Sequence, residues 1–491
     1  MEATTRAANL FDPARWGLPA EAVSHLGQDL YEYWEGLRPC LRTRTRDTSE
    51  NGYTYLRAQL TMEDERNFAN VDRRLNGGDG QSVQEFMSNS PWSAQAVFRK
   101  IQGDIAVRPV LQSGGVLVLD ESADAKGGVH SAGAGRQHNG RLGKVDMCQV
   151  STCLIYAHPV AGIWTVVDGE LFLPEAWFSC AYADLRKRVG VSEERAFATK
   201  PELGLAMIRR VRAQGLPFDV VACDDLYGRN KAFRAALDAD QIRYAAEAPA
   251  NTCVYLQRPR DRSRRVGTQP GRGGSRGKGS AGPQARQVRE VAQNPGTQWR
   301  RVRVRPCERG GLQADFVVRR VWTRTPKKEV RAEWLVIRRD GDGKLTFVLL
   351  NAPSGTSELQ LIEQSCQRHL GERNFEDAKS ELGWDDFRAQ KYRAWEHELA
   401  LTAAALWFVA QVKLNWRERY ARDPELTRQL EVEVLPALST ANVRELLQAV
   451  LPLPQLTPEQ ATDLVVRHLL NRARSTRSRL KSQRDHADSF P

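Results

Sequence analysis

The sequence is poor in the residues that build disulfide and soft-metal sites. Its eight cysteines, at 40, 148, 153, 180, 223, 253, 307 and 366, form no CxxC pair. That argues against a zinc ribbon, and the scatter reads as reduced thiols in a cytosolic protein. The start, MEATTRAANLFDPARW, lacks a basic stretch followed by an apolar one, so no secretory leader is expected. No apolar run reaches the roughly 18 residues that a spanning helix needs. The nearest, Leu399 to Ala410, contains Thr402, so no membrane partner is expected. There is no internal repeat and no clear helix-turn-helix signature. What is present is 41% hydrophobic and 27% charged, a globular composition. The 491 residues allow roughly three domains and a core that needs no staple.

The positive charge is confined to one place. The net charge is 72 − 60 = +12, and Arg258 to Arg305 alone holds 14 basic residues against Asp261 and Glu290, again +12. The rest of the chain is therefore neutral. Within that stretch, GTQPGRGGSRGKGSAGPQAR has almost nothing to bury, which predicts a disordered loop. Cationic residues there, among them Arg264, Arg265, Arg272, Arg276 and Lys278, suit a phosphate-binding arm, because neutralising phosphates releases counterions. The 58 arginines outnumber the 14 lysines. The bias suits two-pronged phosphate recognition and equally a GC-rich genome. A second basic patch, Arg472 to Arg484, closes the chain as a frayed helix or tail.

Hydrophobic spacing divides the chain into five regions. Residues 1–112 read as helical, with DLYEYWEGL and SPWSAQAVFRKIQ carrying helix-like apolar spacing; their expected role is DNA-end binding or dimerisation, or equally that of a simple packing subdomain. Residues 113–249 read as the first part of an α/β core with a mixed sheet. VLVL (116–119) is a buried strand ending in Asp120. Two β-rich runs flank the turn HPVAG. Thr199, Pro201 and Glu202 open a helix with a capping box. Phe218 to Cys223 is a second buried strand, ending in Asp224, and Lys231 to Leu237 and Ile242 to Glu247 follow as helix and strand. Residues 250–355 read as a β-rich insertion containing the basic loop (258–298), with Asp340-Gly341 as a turn signal. Residues 356–420 read as a helical second part of the core, and 421–491 as a helical C-terminal region with a basic tail.

Three acids stand out. Asp120 and Asp224 end two buried strands, where sites gather in α/β sheets. Glu372 lies on a helix expected to run from about Ser357 to Leu382, on one face with Arg368 and Lys379, with Phe375 on the same stripe. Carboxylates without His or Cys are hard oxygen ligands suited to Mg²⁺, with Mn²⁺ as a substitute. Two such ions can activate a water and stabilise the leaving oxygen of a phosphodiester. The plainer reading is a pair of strand-end turn formers and a surface ion pair. His130 and His138 read as exposed loop residues. Trp384, Tyr392, Trp395 and Leu399 read as core.

The runs LVLDES, GRQHNGRLGKVDMCQVS, LFLPEAW, VVACDDLYGRN and ERNFEDAKSELG, in this order, resemble bacterial insertion-sequence transposases of the DDE class. The resemblance spans about Trp92 to Val409. The pattern Y-x2-R-x3-E-x6-K is met by Arg368, Glu372 and Lys379, with Ser365 at the tyrosine position. It selects Asp120 over Glu121, and Asp224 over Asp225 by its distance from Tyr227-Gly228. The resemblance implies an RNase H-like core interrupted by a β-rich insertion. It implies Asp120, Asp224 and Glu372 as metal-binding catalytic acids, with Arg368, Lys379 and Tyr227 on DNA. It further implies a cytoplasmic, nucleoid-associated homodimer acting on double-stranded DNA, both the element's terminal inverted repeats and the target. Its rivals are a transposase-derived DNA-binding protein that no longer cuts and an RNase H-like nuclease that cuts without joining.

Overall fold

The computed structural model describes residues 10–43, 46–140, 142–260, 282–307, 310–386, 388–454 and 457–487. Arg264, Arg265, Arg272, Arg276 and Lys278 lie outside them. Six helices come first: α1 (Ala20–Ser24), α2 (Leu26–Leu41), α3 (Glu50–Thr61), α4 (Phe68–Asn76), α5 (Gln81–Ser88) and α6 (Ala94–Ala106). The last begins three residues after Pro91, because Ser93 is its cap and accepts the Ala96 N–H at 3.2 Å.

A mixed sheet follows. Its first strands are β1 (Val116–Ala125), β2 (Gly135–Asn139), β3 (Lys144–His158) and β4 (Ile163–Phe172), then β5 (Val220–Cys223) and β6 (Tyr244–Glu247). β3 runs antiparallel to β1 and β4. β1, β5 and β6 are parallel neighbours. Parallel strands need crossovers, and these are α7 (Ala183–Val189) with α8 (Lys200–Ala213), then α9 (Asp225–Gly228) with α10 (Lys231–Ala239). In α8, Glu202 accepts the Thr199 N–H at 2.8 Å, and Leu203, Met207 and Val211 are buried, as the spacing predicts. This is the expected α/β architecture.

Two strand expectations change. β1 does not stop at Asp120: its polar half, Glu121 to Ala125, stays extended because β3 pairs with it through Ala125↔Cys148. GRQHN is a strand, not a loop, since β2 pairs with the start of β3; His138 is exposed on it and His130 is exposed in the turn before it.

A two-stranded ribbon, β7 (Cys253–Val254) and β8 (Arg286–Gln287), leads to α11 (Val288–Gln293). Then come β9 (Arg300–Cys307), β10 (Gly310–Arg324), β11 (Val330–Arg339) and β12 (Leu345–Leu350). They form an antiparallel meander that joins the same sheet, because β12 pairs with β6. One face of the meander has its own core, where Val317, Val321, Leu335 and Ile337 meet Val288 and Val291 of α11.

The remaining helices are α12 (Glu358–Ser365), α13 (His369–Glu376), α14 (Tyr392–Arg419), α15 (Glu425–Gln429), α16 (Thr440–Val450) and α17 (Pro458–Ala487). α14 is long and apolar enough to cross a membrane by length and composition, but 83% of its apolar window is buried inside the protein. The N-terminal helices are fastened to it: Tyr33 donates to the Ala404 carbonyl at 3.0 Å, Gln59 to Thr402 at 2.8 Å and Tyr55 to Glu398 at 2.6 Å. One hydrophobic core therefore runs from Ala22 to Leu447.

Candidate active site

The parallel ladder between β1 and β5 ends at Leu119↔Cys223. The next residue on each strand is an aspartate, so register alone brings Asp120 and Asp224 beside one another. Alternation along the strand sorts the neighbours. Val118 faces Gly371 of α13, where an added Cβ would come within 2.8 Å of Val118 Cγ1; Asp120 shares that face. Glu121 points the other way, to Lys200 Nζ at 2.6 Å and the Tyr227 hydroxyl at 3.3 Å.

Asp224 caps the short helix α9. One carboxylate oxygen accepts the backbone N–H of Leu226 at 3.0 Å and of Tyr227 at 3.4 Å. Its neighbour Asp225 points outward and pairs with Arg229 at 2.8 Å. Burial, with repulsion from Asp120 and Glu121, pushes the Asp224 carboxyl up to about 7. Burial pushes Asp120 up to about 6 against the pull of Arg368. Both carboxyls bind protons more tightly than a free aspartate, and an added cation would relieve both.

The helix carrying Glu372 is not continuous. α12 ends at Ser365, whose hydroxyl donates to the Ile362 carbonyl at 2.7 Å, and the His369 ring bonds the Cys366 carbonyl at 2.7 Å. These side-chain bonds compete with the helical ladder. α13 then starts anew and passes into a π-helical turn, Asp377–Glu381, a wider winding that recurs at functional sites. Arg368, Glu372 and Lys379, expected on one face of a continuous helix, thus lie on three successive segments. Glu372 sits in the first turn of α13, 57% exposed. Lys379 lies on the π turn, donating to the Ala123 carbonyl at 3.3 Å with its ammonium over the Trp384 ring. Trp384 is buried and stacked on Phe375, and Trp395 and Leu399 are also buried, all as read from the sequence.

Arg368 ties the site together. Nε donates to Glu247 at 3.0 Å, Nη1 to Asp120 at 3.3 Å and Nη2 to Glu372. These anions outweigh burial and raise its pKa. Tyr227, expected on DNA, is instead fully buried, with its hydroxyl donating to Glu121 at 3.3 Å. Glu247 was missed. It is the last residue of β6, the same strand-end position that singled out Asp120 and Asp224, and that position was its signal.

The donor set fits a hard divalent cation: three carboxylates, no thiolate and no imidazole. Among the described residues no three such side chains are gathered tightly enough to hold an ion as they stand. The guanidinium of Arg368 lies among them.

The fold and these acids point to one class of protein, and comparison with known families agrees. The DDE superfamily endonuclease family matches residues 36–311, more than half of the chain. The chain belongs to that family, and its core is an RNase H-like α/β sheet. The matched region contains Asp120 and Asp224 and ends before Arg368, Glu372 and Lys379. The chain is also similar to a probable transposase for insertion sequence element IS701 from Microchaete diplosiphon, 23% identical over 240 residues. That alignment takes in 48% of this chain and 57% of the relative, so the chain matches little more than half of that protein's length.

Proposed function

We propose that this chain is a DNA transposase that binds the ends of its own insertion sequence, cuts there, and joins the freed 3′-hydroxyl to target DNA. The observation that carries the reading is the pair Asp120 and Asp224, set on adjacent parallel strand ends and both pushed toward neutrality. Asp120, Asp224 and Glu372 would hold Mg²⁺, with two ions at full occupancy and Mn²⁺ as a substitute. Bound metal supplies a lowered pKa for the attacking water and charge stabilisation for the leaving oxygen. In the cut, a water oxygen attacks phosphorus, the bond from phosphorus to the 3′ oxygen breaks, and that oxygen leaves as a hydroxyl. In the joining step the 3′-hydroxyl attacks a target phosphodiester, making one phosphorus–oxygen bond and breaking another. Both are in-line displacements, so one site serves both.

Arg368 stands among the acids and Lys379 farther along β1, at the Ala123 carbonyl; each would contact a DNA phosphate. Asp224 is held by its cap on α9 and Asp120 by the sheet, while the Glu372 side chain projects into solvent from a helix packed on β1. The basic segment around Arg264, Arg265, Arg272, Arg276 and Lys278 would hold flanking phosphates, and the active form on paired ends would be a homodimer. The fused core of Ala22 to Leu447 supports an N-terminal region that orients DNA ends rigidly against the site. The test is a strand-transfer assay on duplexes carrying the element's ends, with Mg²⁺. Joined products support the transposase. Cut ends without joined products would leave a nuclease, and tight binding without cutting would leave a DNA-binding descendant.

A further inference from the structure

Arg368 places a permanent cation against two of the three candidate metal ligands, a guanidinium that stays charged at any physiological pH. It touches Asp120 and Glu372 through its two terminal nitrogens and Glu247 through Nε. A divalent ion at Asp120 and Glu372 adds positive charge beside it, so the guanidinium and the ion compete for the same oxygens. Glu247, like Asp120, has its footing in the sheet, whereas Glu372 is carried on α13. Glu247 is fixed by the β6–β12 ladder at Val348↔Glu247, and its carbonyl is packed so closely under α9 that a Cβ on Gly228 would lie 1.7 Å from it. Of the three acids around Arg368, it lies outside the Asp120–Asp224–Glu372 set.

We propose that Glu247 is a positioning residue that anchors Arg368 through Nε, so that a divalent ion displaces the guanidinium from Asp120 and Glu372 without releasing it from the site. The inference rests on the reading of Asp120, Asp224 and Glu372 as metal ligands. On metal binding, Arg368 keeps its bond to Glu247, gives up the other two, and leaves its terminal nitrogens pointed at the space where a DNA phosphate would lie. Without Glu247, Arg368 keeps only its bonds to Asp120 and Glu372 and resists the ion.

The experiment is calorimetric Mn²⁺ binding to the full chain without DNA, for wild type, Glu247→Gln, Arg368→Gln and the double variant, with melting curves to confirm folding. Glu247→Gln should weaken Mn²⁺ binding about tenfold, within the range for residues coupled in one ion-pair network. Arg368→Gln should tighten it. In the Arg368→Gln background the Glu247 substitution should have little effect, and Glu247→Asp should keep most of the wild-type affinity. An equal weakening in both backgrounds would show that Glu247 acts as a bare nearby charge and would overturn the proposal. So would a loss of melting temperature with unchanged affinity, which marks a purely structural role. Failure of the underlying reading looks different: Asp224→Asn would then bind Mn²⁺ as wild type does.

Discussion

Gly228 ends α9 directly above the last carbonyl of β6. A Cβ there would sit 1.7 Å from the Glu247 oxygen and 2.8 Å from its carbonyl carbon, against an ordinary contact of at least 3.4 Å. Both partners are backbone, so no rotamer change gives relief, and α9 must lift from β6 by about 1.7 Å, the difference 3.4 − 1.7. That movement disturbs the cap on Asp224, the carbonyl of Gly228 that receives the buried Arg234 guanidinium, and Glu247 together. Overpacking that side chains can absorb costs about 1–3 kcal/mol; a backbone clash belongs at the top of that range, about 3 kcal/mol. At about 2.1 cal/mol/K of unfolding entropy per residue, a chain of this size shifts by about 1 °C per kcal/mol, so Gly228→Ala should lower the melting temperature by roughly 3 °C. Gly103→Ala is the control. It lies within α6 with nothing within 4 Å of an added Cβ, so it should gain about 0.5–1 kcal/mol of helix stability. Scanning calorimetry on the three proteins decides the matter. A Gly228→Ala variant melting with wild type would refute the close approach of α9 to β6.

Buried charges elsewhere give further tests. Glu333 is fully buried and accepts from Arg234 at 3.2 Å, Arg331 at 3.3 Å, Thr323 and Tyr244. Burial works to raise its pKa, but the two arginines win and lower it. Glu333→Gln strands two buried guanidiniums and should cost about 3–5 kcal/mol in denaturant unfolding; a loss under about 1 kcal/mol contradicts that. In the wild type this contribution is present above the ordinary glutamate range and lost as pH falls through the lowered native value. Glu398 behaves oppositely. Burial pushes it up to about 8 from 4.5, so its contribution is full below about pH 4.5 and lost as pH rises through about 8. Wild type should lose melting temperature over that window more steeply than Glu398→Gln, and parallel curves would be a refutation. Asp120 at about 6 and Asp224 at about 7 must lose protons to bind metal. Mn²⁺ binding near pH 6 should therefore release more protons than near pH 8, measured calorimetrically in buffers of different ionisation heat; equal release at both would contradict the shifts.

Much of this site is legible in the sequence because it follows from local rules. Short apolar runs ending in Asp120 and Asp224 mark parallel strands and their ends. The Thr199–Glu202 box marks a helix start, and the Asp340-Gly341 signal falls in the turn that links β11 to β12, where Gly343 takes the positive φ. What is not legible depends on distant partners. The polar half of β1 is extended only because β3 lies beside it. The helix through Glu372 keeps an unbroken apolar spacing, yet bonds made by Ser365 and His369 interrupt it. Glu247 has the right strand-end position but gains meaning only when Arg368, 121 residues later, folds against it. Tyr227 sits in a motif beside the acids, and burial against Glu121, not the motif, decides where its hydroxyl goes.

Asp224, and not its neighbour Asp225, is the proposed acid of the cutting site. The direct test is Mg²⁺-dependent cleavage of DNA bearing the element's ends by wild type, Asp224→Asn and Asp225→Asn. Asp224 is part-buried beside Asp120 and caps α9, whereas the Asp225 side chain is 45% exposed in an ion pair with Arg229. Cleavage by wild type and Asp225→Asn, abolished in Asp224→Asn, is the predicted result. Cleavage that survives in Asp224→Asn would contradict it.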